Sequence, residues 1–537
     1  MRAGCSPAFW EFWFAALGWS RVHTLDSISE SRHTSAVSAY TPSAVGSLER
    51  SHGSGSAGVR LFLDGSFRTG RYGVSAYYPY NSDHEEENND GSLSRRDLLK
   101  KAAAVVGGGA AIAGGGSPVF AQAPAVITGW KQATLGRKFH ALTRYRTTID
   151  VQELTMAALH PRQLVVRTQA SQACYTLVNV LDAPNLMPAR NASIFGHGCV
   201  GIVEEVGPQV KRVVPGDRVI ITQTSQCGEC YNCLRQRVSH CHAAYGRPNN
   251  PIATMKDGTP VLWSLSGFAE LTVTWDEHVV PIQSNHDAAE LSNISCVGVC
   301  GLGMAMVGPY AVDPGATVVV FGLGPVGMAA VQGARIQGAT TIVAVDPVKY
   351  RRDIAAKVGA TATLDPNSLE NEAAIIEALK AMTKDPFEGR PFAGGIGSRG
   401  TGGALENGPD YVLEAVGNER YAPQVERYRE PQGLEVLHTV HALCPPGGVM
   451  KTSSGGQPGN FTIGAQDWSN SAKIHIPGNM AGVQMKRDLP RWTRLMEKGI
   501  IDGGAMVGVK APLDRWRDAV EAAAHRTAIT GIVTFDA

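Results

Sequence analysis

Apolar and polar residues alternate in short runs through the first folded part of the chain. Between Val126 and about Val299 these runs have the length and period of β-strands. Turn signals such as Pro215-Gly216-Asp217 separate them. The pattern predicts a β-rich domain over residues 124–299. Its strands include Gln163–Arg167, Gly201–Val206, Arg218–Thr222 and Ala269–Val273.

Near Cys300 the pattern changes to strands that alternate with helices. Thr317–Phe321 is an apolar β-branched run, a helical stretch ends at Gln337, and a second apolar run covers Thr341–Val345. This order of elements indicates a parallel sheet, which we predict over residues 300–478. Further elements are expected at Tyr350–Val358, Tyr411–Ala415 and Gly448–Thr452, with a glycine-rich surface insertion at Gly389–Gly408.

The last segment, residues 479–537, is predicted to return to the β-rich domain. It contains helical stretches at Leu489–Lys498 and Asp514–Ala524 and a final strand at Gly531–Phe535. The predicted fold class is therefore α/β, with a β-rich domain beside a doubly wound parallel sheet.

Charge and length narrow the classes of protein that this chain can belong to. Its 537 residues exceed one ordinary domain. Lysine plus arginine number 49 and aspartate plus glutamate 48, a net charge of +1. Because nucleic-acid binders normally carry a clear basic excess, we expect no nucleic-acid partner.

The segment 91–123 has the order of parts of an export signal. Arg95 and Arg96 precede a mildly apolar Ala/Gly/Val stretch, and Ala121-Gln122-Ala123 follows as a cleavage site. It resembles a twin-arginine (Tat) signal, so we expect contact with the Tat machinery and a periplasmic or exported location. We expect residues 1–90, which show no sustained period, to be an unstructured extension outside the natural product. The glycines in the apolar stretch argue against a stable membrane span in the mature form.

A glycine-rich turn follows the first strand of the predicted parallel sheet. Gly322, Gly324 and Gly327 are spaced as G-x-G-x-x-G between a strand and a helix, the context of a dinucleotide site. Asp346 ends the next strand, where a carboxylate accepts hydrogen bonds from the ribose of NAD. Arg351 and Arg352 lie nearby and are able to pair with the extra phosphate of NADP, but the carboxylate favours NAD.

Four cysteines lie within fifteen residues: Cys227, Cys230, Cys233 and Cys241. Four thiolates at such spacing suit one tetrahedral zinc ion, and a closed site of this kind is structural. A pair of disulfides and an iron–sulfur cluster are the alternatives. Since the Tat route exports folded proteins, zinc loaded in the cytosol is favoured.

Several dispersed residues complete a recognisable order. They are Cys174-x-Thr176, Gly196-His197 with Gly201 to Gly207, Val214 to Val219, the four-cysteine segment, Gly267 to Glu270, Cys300, the glycine turn and Asp346. With this set the chain resembles the zinc-containing medium-chain alcohol dehydrogenases from about Val126 to Phe535. The resemblance implies a GroES-like catalytic domain, a Rossmann domain and a homo-oligomer.

The resemblance also implies a catalytic zinc held by Cys174, His197 and Cys300, with Cys296 as the alternative third ligand. Zinc would lower the pKa of a bound alcohol, Thr176 would relay its proton, and NAD would accept hydride. Two carboxylates of the family are missing: Gly198 replaces a glutamate, and Leu177 replaces an aspartate. Asn179 also stands where many members have a relay histidine. Loss of such hydrogen-bond partners lowers metal affinity or activity by roughly 10–100-fold.

Two functions follow from these observations. The first is a zinc- and NAD-dependent oxidoreductase acting on a small alcohol or aldehyde. The alternative is a catalytically impaired, zinc-stabilised nucleotide-binding protein, which the two departures favour. The retained ligands favour the enzyme.

Overall fold

The computed structural model describes residues 130–181, 189–245, 247–384, 408–417, 434–453, 460–477 and 482–535. The described residues belong to one unit. The predicted extension, the export signal and all but the last residue of the insertion at Gly389–Gly408 lie outside the described residues. Within the described part, no helix combines the length and the apolar character needed to cross a bilayer.

Eighteen strands are present in the described residues. In chain order they are β1 (Lys138–Arg146), β2 (Thr148–Met156), β3 (Gln163–Ala173), β4 (Ala189–Ile194), β5 (Cys199–Val206), β6 (Arg218–Ile221), β7 (Pro251–Met255), β8 (Pro260–Leu262), β9 (Leu271–Trp275), β10 (Val279–Pro281), β11 (Thr317–Phe321), β12 (Thr341–Val345), β13 (Ala362–Leu364), β14 (Tyr411–Glu414), β15 (Val449–Thr452), β16 (Ile474–Pro477), β17 (Val509–Pro512) and β18 (Gly531–Thr534).

Eleven α-helices are present in the same residues. They are α1 (Tyr175–Leu181), α2 (Tyr231–Leu234), α3 (Ala288–Asn293), α4 (Val297–Met306), α5 (Pro325–Gln337), α6 (Lys349–Val358), α7 (Glu372–Met382), α8 (Leu434–Leu443), α9 (Ala465–Asn470), α10 (Met485–Glu497) and α11 (Trp516–Ala524).

The β-rich part contains a closed barrel and an open sheet. The barrel has the order β1-β2-β7-β8-β4, and the open sheet has the order β10-β6-β5-β3-β18-β17 with β9 also paired to β3. The longest strand of this sheet, β3, pairs with β5, β9 and β18. Because β17 and β18 come from the end of the chain, the last segment completes the sheet of the β-rich part.

The second part is a six-stranded parallel sheet with the order β13-β12-β11-β14-β15-β16. Val318 and Val320 of β11 face one apolar cluster, which includes residues of α4, α5 and α6. Val319 and Phe321 face another, which includes residues of α7 and α8. Helices therefore cover both faces, and the predicted α/β fold class with a doubly wound sheet is confirmed.

Most predicted elements are present with small shifts at their ends. Strands β11 and β12 have the predicted bounds. Strand β9 begins at Leu271 rather than Ala269, because Ala269 forms an isolated bridge to Ala141 of the barrel. Helix α4 was missed, since its glycine-rich sequence is buried on all sides and shows no amphipathic period.

Strand β11 lies where the order of the parallel sheet reverses. The chain continues from β11 to β12 on one side, and β14 pairs with the other side of β11. In open α/β sheets, ligands bind outside the carboxyl ends of the strands at such a switch point. The glycine turn begins immediately after Phe321, so the sequence places it at this position.

We predict that alanine is much more destabilising at Gly327 than at Gly324. A Cβ added to Gly327 would lie 1.7 Å from the Gly322 carbonyl oxygen, whereas one added to Gly324 would meet nothing within 4 Å. Gly327→Ala should therefore destabilise the protein by about 3 kcal/mol. Gly324→Ala, whose φ of −67° suits alanine, should stay within about 1 kcal/mol of wild type. Urea unfolding of both variants measures this, and equal stabilities would contradict it.

Candidate functional site

The glycine turn opens onto a cleft at the carboxyl edge of the parallel sheet. Gly322 has φ +81°, a left-handed conformation that a side chain would strain. Gly324 caps α5, and Pro325 occupies its first turn. Both glycines line the cleft, so the free N–H groups at the start of α5 lie beside it. Backbone N–H groups and the helix dipole at this point suit a phosphate.

Asp346 lies across the same cleft and is almost fully buried. Its Oδ2 accepts a hydrogen bond of 2.7 Å from Leu323 N, and its Oδ1 accepts one of 2.8 Å from Val348 N. The carboxylate thus holds the glycine turn as well as facing the cleft. The structure brings together Gly322, Gly324 and Asp346, which the sequence singled out for the dinucleotide. Gly327 packs beneath the turn against the Gly322 carbonyl.

The neighbouring arginines have partners of their own. Arg351 Nη1 lies 3.9 Å from Asp346 Oδ2, and its Nη2 donates to Ala528 O at 3.3 Å. Arg352 donates to the Asp346 carbonyl at 2.6 Å and pairs with Asp365 at 3.0 Å. These contacts reduce the availability of both cations for an added phosphate.

Three candidate zinc ligands converge at the end of β3. The ligand atoms of Cys174, His197 and Cys296 all lie within 4.8 Å of one another. Cys174 also lines the cleft that holds the glycine turn. Two sulfurs and one imidazole nitrogen leave a fourth tetrahedral position open, as a catalytic zinc requires.

The sequence preference for Cys300 as third ligand is corrected by this geometry. Cys296 precedes α4 and its thiol meets Cys174, whereas Cys300 lies one helical turn further on and donates its N–H to Cys296 O at 3.1 Å. The thiol of Cys300 is buried in the apolar cluster around α4 and α5 and hydrogen bonds to Cys296. The geometry therefore favours Cys296, the alternative named from the sequence, as the candidate third ligand.

The chemistry of the three side chains fits a metal ion. His197 Nε2 is buried without a hydrogen-bond partner among the described residues, and an orphaned ring nitrogen of this kind suits a ligand. A hydrogen bond from Cys296 holds the pKa of the Cys174 thiol well below its usual value. Burial opposes this, while the His197 imidazole and the Thr176 hydroxyl lower the pKa further. A thiol whose pKa is lowered in this way is suited to bind a metal ion as its thiolate.

Gly198 and Leu177, which depart from the family pattern, lie in tightly packed surroundings. Gly198 has φ +92°, and a Cβ added there would lie 2.4 Å from Ser295 Oγ, so a glutamate does not fit without rebuilding. Leu177 is buried in an apolar cluster with Trp516 and Val520. A carboxylate at either position would disrupt packing.

Two glutamine side chains lie next to residues of the candidate zinc site. Gln172 Nε2 donates to the His197 carbonyl at 3.2 Å, and the Cys296 thiol donates to Gln223 Oε1 at 3.1 Å. Sequence analysis missed both amides, since an isolated glutamine carries no recognisable signal.

The four-cysteine segment forms a second cluster. The thiols of Cys227, Cys230, Cys233 and Cys241 lie within 4.8 Å of one another, and all four are free. Burial opposes ionisation, but N–H groups of Cys233 and His242 lower the pKa of Cys230 to about 6. Backbone N–H donation to sulfur and four convergent thiols fit one tetrahedral zinc ion with no open position.

Two family models match the chain, one in each part of the fold. The alcohol dehydrogenase GroES-like domain model matches residues 160–284, and the zinc-binding dehydrogenase model matches residues 325–439. The order of the two models is the order of the β-rich part and the parallel sheet along the chain.

Curated relatives match most of their own length. S-(hydroxymethyl)glutathione dehydrogenase of Paracoccus denitrificans is 31% identical over 377 residues, which cover 65% of this chain and 94% of the relative. Alcohol dehydrogenase class-3 of Cereibacter sphaeroides is 27% identical over 356 residues, covering 64% of this chain and 85% of the relative.

Solved structures share the fold at lower sequence identity. An alcohol dehydrogenase zinc-binding domain protein from Burkholderia ambifaria has a TM-score of 0.61 at 21% identity, covering 75% of this chain and 100% of that one. Benzyl alcohol dehydrogenase from Acinetobacter calcoaceticus has a TM-score of 0.59 at 20% identity, covering 74% and 100%.

A putative zinc-binding dehydrogenase from Sinorhizobium meliloti, solved with NADP bound, has a TM-score of 0.54 at 22% identity, covering 74% of this chain and 99% of that one. Because both domain models match in order and a relative of 31% identity is covered almost from end to end, this chain belongs to the zinc-dependent medium-chain alcohol dehydrogenase family.

Proposed function

We propose that this oxidoreductase transfers hydride between a small alcohol or aldehyde and NAD in the cleft beside Cys174. One observation carries the proposal: Cys174 lines the same cleft as Gly322 and Asp346. The candidate zinc ligands and the candidate dinucleotide site therefore share one space. That is the arrangement a hydride transfer needs, because the reacting carbon and the cofactor must be in contact.

NAD is preferred to NADP on electrostatic grounds. Asp346 is buried at the cleft, where a carboxylate accepts hydrogen bonds from ribose hydroxyls and repels a 2′-phosphate. Arg351 and Arg352, the cations that would bind such a phosphate, already contact Asp346, Ala528 and Asp365.

The protein's own groups provide the remaining chemistry. Bound zinc would supply a Lewis acid at its open position, and NAD would supply the hydride acceptor. Cys174, His197 and Cys296 would hold the metal ion. Thr176 lies exposed at the start of α1 beside Cys174, so a proton passed to its hydroxyl reaches solvent without a longer relay.

The substrate is proposed to be small and largely apolar. The cleft wall next to Cys174 is formed by Ala173, Tyr175 and Val297, which offer little charge to a substrate. A screen of alcohols and aldehydes, followed by the absorbance of the reduced nicotinamide, tests the activity. S-(hydroxymethyl)glutathione belongs in that screen, since relatives carry that substrate in their names.

The second candidate is a nucleotide-binding protein without turnover. Gly198 and Leu177 favour it, because the carboxylates that normally support the zinc ligands are absent. Zinc content separates the two functions: about two ions per chain support the enzyme, and about one supports the binding protein.

An exported location, as the Arg95-Arg96 signal suggests, would restrict cofactor supply. A periplasm is not expected to hold a free pool of NAD, whereas a Tat substrate is exported folded and can carry its cofactor with it. We therefore propose that NAD stays bound between turnovers and is re-oxidised in place by a second substrate or an electron acceptor.

The third zinc ligand is tested by a pair of serine variants. Cys296→Ser should lose about one zinc ion per chain and at least about 100-fold in kcat/KM, because it removes one of three ligands. Cys300→Ser should keep its zinc and most of its activity. Zinc content and kcat/KM are measured for both, together with Cys174→Ala and His197→Ala, which should behave like Cys296→Ser.

Cys230→Ala serves as the control for the other metal cluster. It should lower the melting temperature, because a closed zinc site contributes folding free energy. If Cys300→Ser loses zinc while Cys296→Ser keeps it, Cys300 is the third ligand and Cys296 is not.

Asp346→Ser should shift the preference between the two dinucleotides. Loss of a charged hydrogen-bond partner costs about 1.5 kcal/mol, so kcat/KM for NAD relative to NADP should fall about tenfold. Kinetics with both nucleotides measure the ratio. An unchanged ratio would mean that Asp346 does not contact the ribose.

Tight retention of NAD is tested on protein purified without added cofactor. The sample is denatured, and the supernatant is assayed for NAD. We expect close to one NAD per chain, since a nanomolar complex, about −12 kcal/mol, survives purification. Empty protein that requires millimolar NAD for turnover would refute retention and weaken the case for export.

A further inference from the structure

A chain of hydrogen bonds crosses one wall of the cofactor cleft. Arg351 Nε donates to the Tyr350 hydroxyl at 3.3 Å, and that hydroxyl donates to the Arg526 carbonyl at 2.8 Å. Arg351 Nη2 donates to the Ala528 carbonyl at 3.3 Å. The donors lie on α6 of the parallel-sheet domain, and the acceptors lie 176 and 177 residues later, in the connection between α11 and β18.

That connection forms part of the cleft. Arg526, Ile529 and Thr530 line it opposite Gly322 and Asp346. Arg526 has φ +54°, a left-handed conformation that is costly for a residue with a side chain. Strain of this kind persists where surrounding contacts impose it. The bond from Tyr350 to the Arg526 carbonyl is such a contact.

Arg351 joins the same wall to the carboxylate expected at the ribose. Its Nη1 lies 3.9 Å from Asp346 Oδ2, and the side chains of both residues are almost fully buried. One guanidinium therefore contacts the nucleotide site on one side and the backbone of Ala528 on the other. Linked hydrogen bonds polarise one another. The bonds of Tyr350 and Arg351 are therefore expected to form and break together.

We propose that Tyr350 and Arg351 form a latch that holds the connection 525–530 against the cleft and thereby limits the rate at which the dinucleotide leaves. This proposal rests on the proposed NAD-linked function. A nucleotide buried between Asp346 and Arg526 cannot leave while the connection stays in place. Tyr350 and Arg351 are positioning residues in this scheme, since they act through the connection and not on the reacting atoms.

The test measures nucleotide dissociation in Tyr350→Phe, which loses the hydroxyl and keeps the ring. Protein loaded with NADH is mixed with excess NAD, and nicotinamide fluorescence follows the release of NADH. We expect the dissociation rate to rise about tenfold, equivalent to about 1.4 kcal/mol. KM for NAD should rise with it, while kcat stays unchanged or increases. A variant that is merely destabilised would not show this split between KM and kcat.

Tyr411→Phe is the matched control. The Tyr411 hydroxyl also donates to a backbone carbonyl, that of Ala311 at 3.0 Å, and to Asp313 at 2.8 Å, but Tyr411 does not line the cleft. Its removal should leave the dissociation rate within twofold of wild type. Arg351→Lys also loses the forked contact to Ala528, but Arg351 itself lines the cleft beside Asp346, so faster release in this variant counts only together with faster release in Tyr350→Phe.

The outcomes separate the latch from the function on which it rests. Faster release in Tyr350→Phe, with Tyr411→Phe unchanged, supports the latch, whereas faster release in Arg351→Lys alone reflects a direct contact with the nucleotide and overturns it. Equal release from all variants and wild type overturns the latch and leaves the NAD-linked function standing. Wild-type protein that binds neither NAD nor NADP overturns both.

Discussion

The pairing of the last strand with β3 holds the two walls of the cleft together. Gly531 lies opposite Ala173, and Thr530 Oγ1 donates to the Ala173 carbonyl at 3.2 Å. Cys174 follows Ala173 directly, and the connection 525–530 precedes Gly531. One antiparallel register therefore places a zinc ligand and a wall of the nucleotide cleft side by side. Strand register is well specified here because the strands are buried, and a slip of one residue would reverse their faces.

The carboxylate of Asp346 is stabilised by its immediate neighbours, and the net charge of the whole chain gives no information about them. The net charge is +1. Within the cleft, the buried Asp346 accepts hydrogen bonds from two backbone N–H groups and lies beside Arg351. The same carboxylate shapes the glycine turn and faces the expected ribose. A residue with both roles links the stability of the turn to the choice of cofactor.

The candidate catalytic metal site lacks two carboxylates that the family resemblance leads one to expect. Apolar packing around Leu177 and the close contact of Gly198 with Ser295 take the places of two carboxylates. Neutral amides of Gln172 and Gln223 contact His197 and Cys296 instead. Without those carboxylates the site carries less negative charge, which affects both zinc affinity and the pKa of a bound alcohol. The ligand set itself is retained, and the metal-binding chemistry rests on it.

Local pattern alone was sufficient for strands β11 and β12, the glycine turn and the four-cysteine cluster. Thr317–Phe321 and Thr341–Val345 are continuous β-branched runs, and Cys227, Cys230, Cys233 and Cys241 lie close enough in sequence to converge on one ion. The third candidate ligand of the cluster with Cys174 and His197 could not be predicted from local pattern. Cys296 and Cys300 are one helical turn apart, so their spacing offers two thiols on one face. Only the tertiary packing, in which α4 lies against α5, brings the Cys296 thiol to Cys174 and His197. The bonds from Tyr350 and Arg351 to residues 526 and 528 likewise join segments more than 170 residues apart. No local signal encodes such contacts, because they depend on the register of β18 and the position of α6, which the whole fold determines.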